Sequence, residues 1–63
     1  MKVKVIKVSK WTYWYSDEIG ETFEVEDKIE VHHGIPKYRL KKIRSRLLSV
    51  EDTDRGVKEF IFR

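Results

Sequence analysis

From Glu21 to Val31 the chain reads ETFEVEDKIEV, and no other stretch limits the fold as tightly. Successive side chains of an extended chain point to opposite faces. Phe23, Val25, Ile29 and Val31 therefore share one face, and Thr22, Glu24, Glu26, Lys28 and Glu30 the other. A half-buried strand of an antiparallel sheet uses such a pattern. Asp27 alone interrupts it, which marks a β-bulge or the point where the strand passes the rim of a barrel. HHGIP follows as a turn, because Gly34 can take positive φ and Pro36 holds Ile35 extended.

The N-terminal MKVKVIKV alternates charged and β-branched residues, predicting a strand over about 2–10 rather than a leader peptide. Its alternation slips: Val3 and Val5 share one face, Ile6 and Val8 the other. Such a slip predicts a bulge or a coiled strand buried differently at its two ends.

Residues 37–50 support two readings. Leu40, Ile43, Leu47 and Val50 lie at helical spacing, predicting an α+β chain with an amphipathic helix at about 38–50. Against a helix, no capping residue stands beside Pro36. The bases cluster at the presumed start and Glu51 and Asp52 at the end, opposite to the order the helix dipole favours. Ser49-Val50-Glu51-Asp52 also carries its own start signal for a single turn. Two short strands, about 37–44 and 46–48, followed by a 3₁₀ turn are preferred. A loop at DTDRG and a last strand VKEFIFR, with Phe60 and Phe62 on one face, close the chain. Five short strands, a long first loop rich in aromatics and a 3₁₀ turn before the last strand compose a mainly β, five-stranded SH3-like barrel. Residues 1–63 make a single domain of this kind.

The chain has 63 residues and no cysteine, so no disulfide or thiolate metal site can support it. A core of this size supplies about 3–5 kcal/mol at best, and its large aromatic and β-branched side chains must provide it. No apolar run approaches the roughly 20 residues of a membrane span, and a cytoplasmic location is expected.

The net charge of +3 conceals a split. Residues 1–10 hold four Lys and no acid, residues 17–30 seven acids and one Lys, and residues 37–46 six bases and no acid. Either the second and third strands set acidic and basic rows side by side as a cross-strand ladder, or the bases form a face for an anionic partner.

Trp14-Tyr15, Ile19-Gly20 and Phe23-Glu24-Val25 compose the pattern WY…IG..F.V. It resembles a pattern in small uncharacterised SH3-like β-barrel proteins of bacteriophages and prophages of Gram-positive bacteria. The resemblance covers about residues 3–25, and YRLKK and the later SVED are compatible with the remainder. It implies the barrel and a phage or prophage origin, transfers no functional residue, and makes Trp14 an anchor of the core or loop.

Along an extended SKWTYWY, Trp11, Tyr13 and Tyr15 point one way and Trp14 the other. With Trp14 as anchor, Trp11 and Tyr13 become the candidate exposed pair. Arg39, Lys41, Lys42, Arg44 and Arg46 complete the candidate binding residues, since aromatic and Arg side chains dominate protein hot spots. The favoured partner is a protein of unknown identity. Nucleic acid is the alternative, with the bases of 37–46 on phosphates and Trp11 or Tyr13 stacking on bases. A monomer is expected, with weak self-association through an unpaired strand edge. No membrane, cofactor, metal or catalytic residue is indicated. The serines lie in no nucleophile motif, and the adjacent His32 and His33 point apart in an extended chain. The chain is therefore read as a binding protein rather than an enzyme.

Overall fold

A computed structural model describes residues 1–55. The elements are β1 (Lys2–Val5), β2 (Thr22–His32), β3 (Ile35–Leu40), β4 (Leu47–Ser49), a 3₁₀ turn (Val50–Asp52) and β5 (Thr53–Asp54). All pairings are antiparallel, and one five-stranded sheet results with the order β4-β3-β2-β1-β5. Among the described residues β4 and β5 do not pair, so the sheet is open. The protein is mainly β. The expected last strand VKEFIFR, with Phe60 and Phe62, lies outside the described residues.

β2 holds the fold together because it is long enough to serve two partners. Thr22–Glu24 pair with β1, and Val25–His32 pair with β3. Between Val25 and Ile29 the register shifts, with three β2 residues facing Arg39 alone. Asp27 sits in the middle of this irregularity, as its break in the alternation predicts. The inward row is only half realised. Val25 is buried, but Ile29 and Val31 are largely exposed. β1 stops opposite Glu24 and β4 stops opposite Lys37, so among the described residues no strand flanks the far half of the β2–β3 hairpin. Alternation specifies a face, not what lies over it.

That hairpin closes through His33 and Gly34, at φ 55° and 78°, between the paired His32 and Ile35. Two left-handed residues make the type I′ loop whose twist matches the strands. Pro36 is tolerated within β3 because it faces Val31 at a position whose N–H would point toward β4, and β4 ends before reaching it.

The helical alternative for 38–50 is overturned. The Leu40 N–H donates to the Arg46 carbonyl at 3.1 Å, closing a second hairpin, and residues 41–45 form its bend with Ile43 half exposed. The spacing of Leu40, Ile43, Leu47 and Val50 thus reflects a hairpin and the turn after it. β3 ends at Leu40 rather than 44, and the 3₁₀ turn falls where the SVED signal points. No side-chain cap forms there, however: the Ser49 hydroxyl makes no capping bond.

Two further boundaries differ from expectation. β1 ends at Val5, not near Lys10, because the Ile6 and Lys7 N–H groups turn to the Asp52 carbonyl at 2.8 and 3.4 Å. The apparent slip in alternation is the end of the strand. DTDRG, expected to be a loop, contains β5, with Thr53 opposite Val5 and Asp54 opposite Lys4.

The core consists of Val3, Val5, Tyr15, Val25, Tyr38, Leu40 and Leu48, flanked by half-buried Met1, Val8, Tyr13, Trp14, Phe23 and Val50. The aromatic loop is therefore part of the core.

Candidate functional site

Residues 10–21 form a chain of overlapping turns rather than an extended segment. The N–H groups of Tyr13, Ser16, Glu18 and Glu21 donate to the carbonyls of Lys10, Tyr13, Tyr15 and Glu18 at 2.9–3.1 Å. The last is a type II turn, which places Gly20 at φ 95° and lets its N–H reach the Val5 carbonyl at 2.8 Å. Turns abolish the alternation expected of an extended chain. Tyr13, Trp14 and Tyr15 all pack inward, and Trp11 alone stands out, 83% exposed. Tyr13 is half buried, so the expected exposed pair reduces to Trp11.

Tyr15 is the deepest ring of the loop. Its hydroxyl donates to Asp52 Oδ2 at 2.5 Å and accepts the Ser49 N–H at 3.3 Å. The same Oδ2 accepts the Ser9 N–H at 3.2 Å and the Ser9 hydroxyl at 3.0 Å. Burial and then the hydrogen bond to Asp52 push the Tyr15 hydroxyl far above its ordinary pKa, so it acts as a fixed donor.

Trp14 stacks edge-on against Tyr15 and Phe23, with ring centroids 5.5 Å away in both cases. Its Nε1–H donates to the Leu47 carbonyl at 2.7 Å. In edge strand β4 the backbone groups of Leu47 and Ser49 point away from β3, because Arg46 and Leu48 make the ladder bonds. Trp14 on Leu47 and Tyr15 on Ser49 therefore occupy the outward side of that edge. An open sheet edge invites pairing with another chain. Here an aromatic loop covers it.

The expected basic residues separate into two groups. Arg39 grips Glu30 with both nitrogens at 2.7 Å, Arg44 holds Glu26 at 2.6 Å and Lys41 lies 3.7 Å from Glu24. Arg39 and then His32 pull the Glu30 carboxyl down to about 2. These pairs form the cross-strand ladder. Lys42 stands apart, lining a cleft of about 780 Å³ with Phe23, Leu40 and Ile43.

Arg46 belongs to a different surface. Its guanidinium lies 4.7 Å above the Trp14 ring, and Lys37 lies 4.9 Å and Lys10 6.0 Å from the Tyr13 ring. Among the described residues none of the three has a carboxylate partner. Between Lys37 and Arg46, with Lys10 outside its lining, runs an open groove of about 420 Å³ lined also by Tyr13, Trp14, Tyr15, Ser45 and Leu47. The structure thus brings Tyr13 and Arg46 together, leaves Trp11 outside the groove lining, and engages Arg39, Lys41 and Arg44 elsewhere. Lys10, Trp14 and Lys37 join the site without having been singled out as candidates. Their selection depends on which bases the glutamates of β2 engage, and that follows from register.

Among the described residues no group of three His, Asp or Glu side chains could hold a metal ion, and no helix is long and apolar enough to cross a membrane. Comparison of the chain with protein-family models, with curated proteins and with solved structures finds no match.

Proposed function

We propose that the chain is a small SH3-like binding module of phage or prophage origin that engages a protein partner in the cytoplasm and catalyses no reaction. Its single domain binds through the groove between the aromatic loop and β4. Several features support the barrel type. β2 is shared between a group with β1 and β5 and a group with β3 and β4, a long loop follows β1, and a 3₁₀ turn precedes β5. The residues of the WY…IG..F.V pattern also have structural work consistent with that resemblance. Trp14 and Tyr15 cover the β4 edge, Gly20 makes the type II turn, and Phe23 and Val25 pack against them.

The observation that carries the binding proposal is the division among the bases. Glutamates of β2 engage Arg39, Lys41 and Arg44, while Lys10, Lys37 and Arg46 sit over aromatic rings without acid partners among the described residues. Cations and large aromatic rings around a groove supply the anchors from which protein interfaces draw most of their energy. The same division weighs against nucleic acid, because a phosphate track along residues 39–44 would run beside Glu24, Glu26 and Glu30.

Affinity capture from a nuclease-treated Gram-positive host extract, with the wild type and a Lys37→Glu/Arg46→Glu double variant, tests the proposal. A protein retained by the wild type and lost by a folded double variant is expected. Identical captures, or a capture that nuclease abolishes, would overturn it.

A further inference from the structure

The chemistry of the groove specifies its occupant more narrowly. We propose that it receives an extended, carboxylate-bearing segment of the partner, an inference that rests on the protein-binding function above. Arg46 holds its guanidinium carbon over the Trp14 indole, 4.7 Å from the ring centre. A guanidinium seated on an aromatic ring can still clamp a carboxylate through two parallel hydrogen bonds. Lys37, which lines the groove, and Lys10, outside it, lie 4.9 and 6.0 Å from the Tyr13 ring and offer ammonium groups to a second carboxylate. Ser45 adds a hydroxyl donor between these ends, and Leu47 adds apolar surface.

Two observations select an acidic peptide over a polynucleotide. Single-stranded nucleic acids bind by laying bases on open aromatic faces. Here the Tyr13 and Trp14 rings already carry cations and are buried on their inner sides, so the rings serve as seats for the charges. The charge is also short-ranged. Beyond Arg46 lie Arg44, Lys42 and Lys41, and the glutamates that hold Arg44 and Lys41, Glu26 and Glu24, would repel a continuing phosphate backbone. A groove of about 420 Å³ lined by Lys37 and Arg46, neither with a carboxylate partner among the described residues, accommodates a short acidic stretch.

The test is an NMR titration of the whole chain, reading the Trp14 indole N–H and the amides of Ser45, Arg46 and Leu47. Three capped probes are compared at low and moderate salt: an alternating Glu-Gly peptide, its Gln-Gly counterpart, and an oligothymidylate of similar length. The Glu peptide is expected to shift these resonances saturably, the Gln peptide to leave them still, and the oligothymidylate to bind more weakly. Arg46→Gln should weaken the Glu peptide about tenfold, the loss of one charged hydrogen-bonding site. Lys37→Gln provides an independent second variant should Arg46→Gln disturb the Trp14 resonance. Equal shifts from the Gln peptide, or no shift from either peptide, overturn the acidic segment; the protein-binding function then survives only if host capture still depends on Lys37 and Arg46. Tighter binding of the oligothymidylate overturns both.

Discussion

Tyr15 and Asp52 stand 37 residues apart and meet in a hydrogen bond of 2.5 Å, with both side chains fully buried. Among the described residues no cation pairs with the Asp52 carboxylate. Its Oδ2 is held by neutral donors alone, from Tyr15 and Ser9. The bond fastens the aromatic loop to the 3₁₀ turn and thereby positions Tyr13 and Trp14 beside β4. Removing the hydroxyl in Tyr15→Phe deprives the carboxylate of one donor and leaves the Ser49 N–H without its acceptor. A hydrogen bond to a charged group contributes roughly 1.5–3 kcal/mol. Urea denaturation should show a loss in that range; a loss below about 0.5 kcal/mol would mean that water replaces the hydroxyl at no cost.

The cover over β4 yields a prediction about association. Trp14→Phe keeps an aromatic ring against Tyr15 and Phe23 but frees the Leu47 carbonyl on the sheet edge. A stability loss of about 1 kcal/mol is expected, together with concentration-dependent self-association, since an exposed edge is a template for pairing. Sedimentation of wild type and variant over a range of concentrations decides the matter. Two equally monomeric proteins would show that the indole does not protect the edge.

Acid should weaken the fold through Glu30. Its carboxyl lies near 4.5 in the unfolded chain and at about 2 when folded, chiefly because Arg39 donates two hydrogen bonds to it. A depressed carboxyl stabilises the folded state above the unfolded value and loses that contribution as pH falls toward the folded one. Melting temperature should therefore decline between pH 4.5 and about 2, with a shallower slope in Glu30→Gln. Parallel slopes would assign the acid sensitivity to other carboxylates.

Backbone conformation makes separate demands at two turns. A Cβ added to Gly20 meets nothing within 4 Å, yet its φ of 95° is one that L-residues avoid. Gly20→Ala should cost about 1–2 kcal/mol from backbone strain alone. At the β2–β3 hairpin the relation is reversed, because His33 already bears φ 55°. His33→Asn, a residue at home in type I′ loops, should stabilise by about 0.5 kcal/mol. Thermal melts of the two variants should thus move in opposite directions.

Where local chemistry decides, the sequence was a reliable guide. The alternation around Phe23 and Val25, the bulge near Asp27, the turn at Gly34 and the 3₁₀ turn after Ser49 all follow from residues within a few positions of one another. The ladder of Glu24, Glu26 and Glu30 with bases of 37–46 was also legible, since charges on paired strands leave few alternatives. Elements that depend on distant partners were not legible. β1 stops at Val5 because the Asp52 carbonyl captures the next two N–H groups. Asp52 itself, in a stretch that resembles a surface capping signal, is drawn inside by Ser9 and Tyr15. The groove escaped because overlapping turns, rather than an extended chain, set the directions of Tyr13 and Trp14. The bend at 41–45 then determines that Arg46, rather than Arg44, reaches the indole.

The position of β1 between β2 and β5 has a kinetic side. The β2–β3–β4 meander closes short loops, and such local contacts form early in folding. β1 can pair with β2 but gains its second neighbour only with Thr53 and Asp54, and the loop must await Asp52, 37 residues beyond Tyr15. Closing so long a loop adds about 1.5 kcal/mol of entropy over a hairpin bend, so the meander precedes the rest. During synthesis the aromatic segment leaves the ribosome well before the carboxylate that fastens it. For that interval the rings that later seat Lys37 and Arg46 are open to whatever meets them, and the groove exists only once Asp52 has arrived.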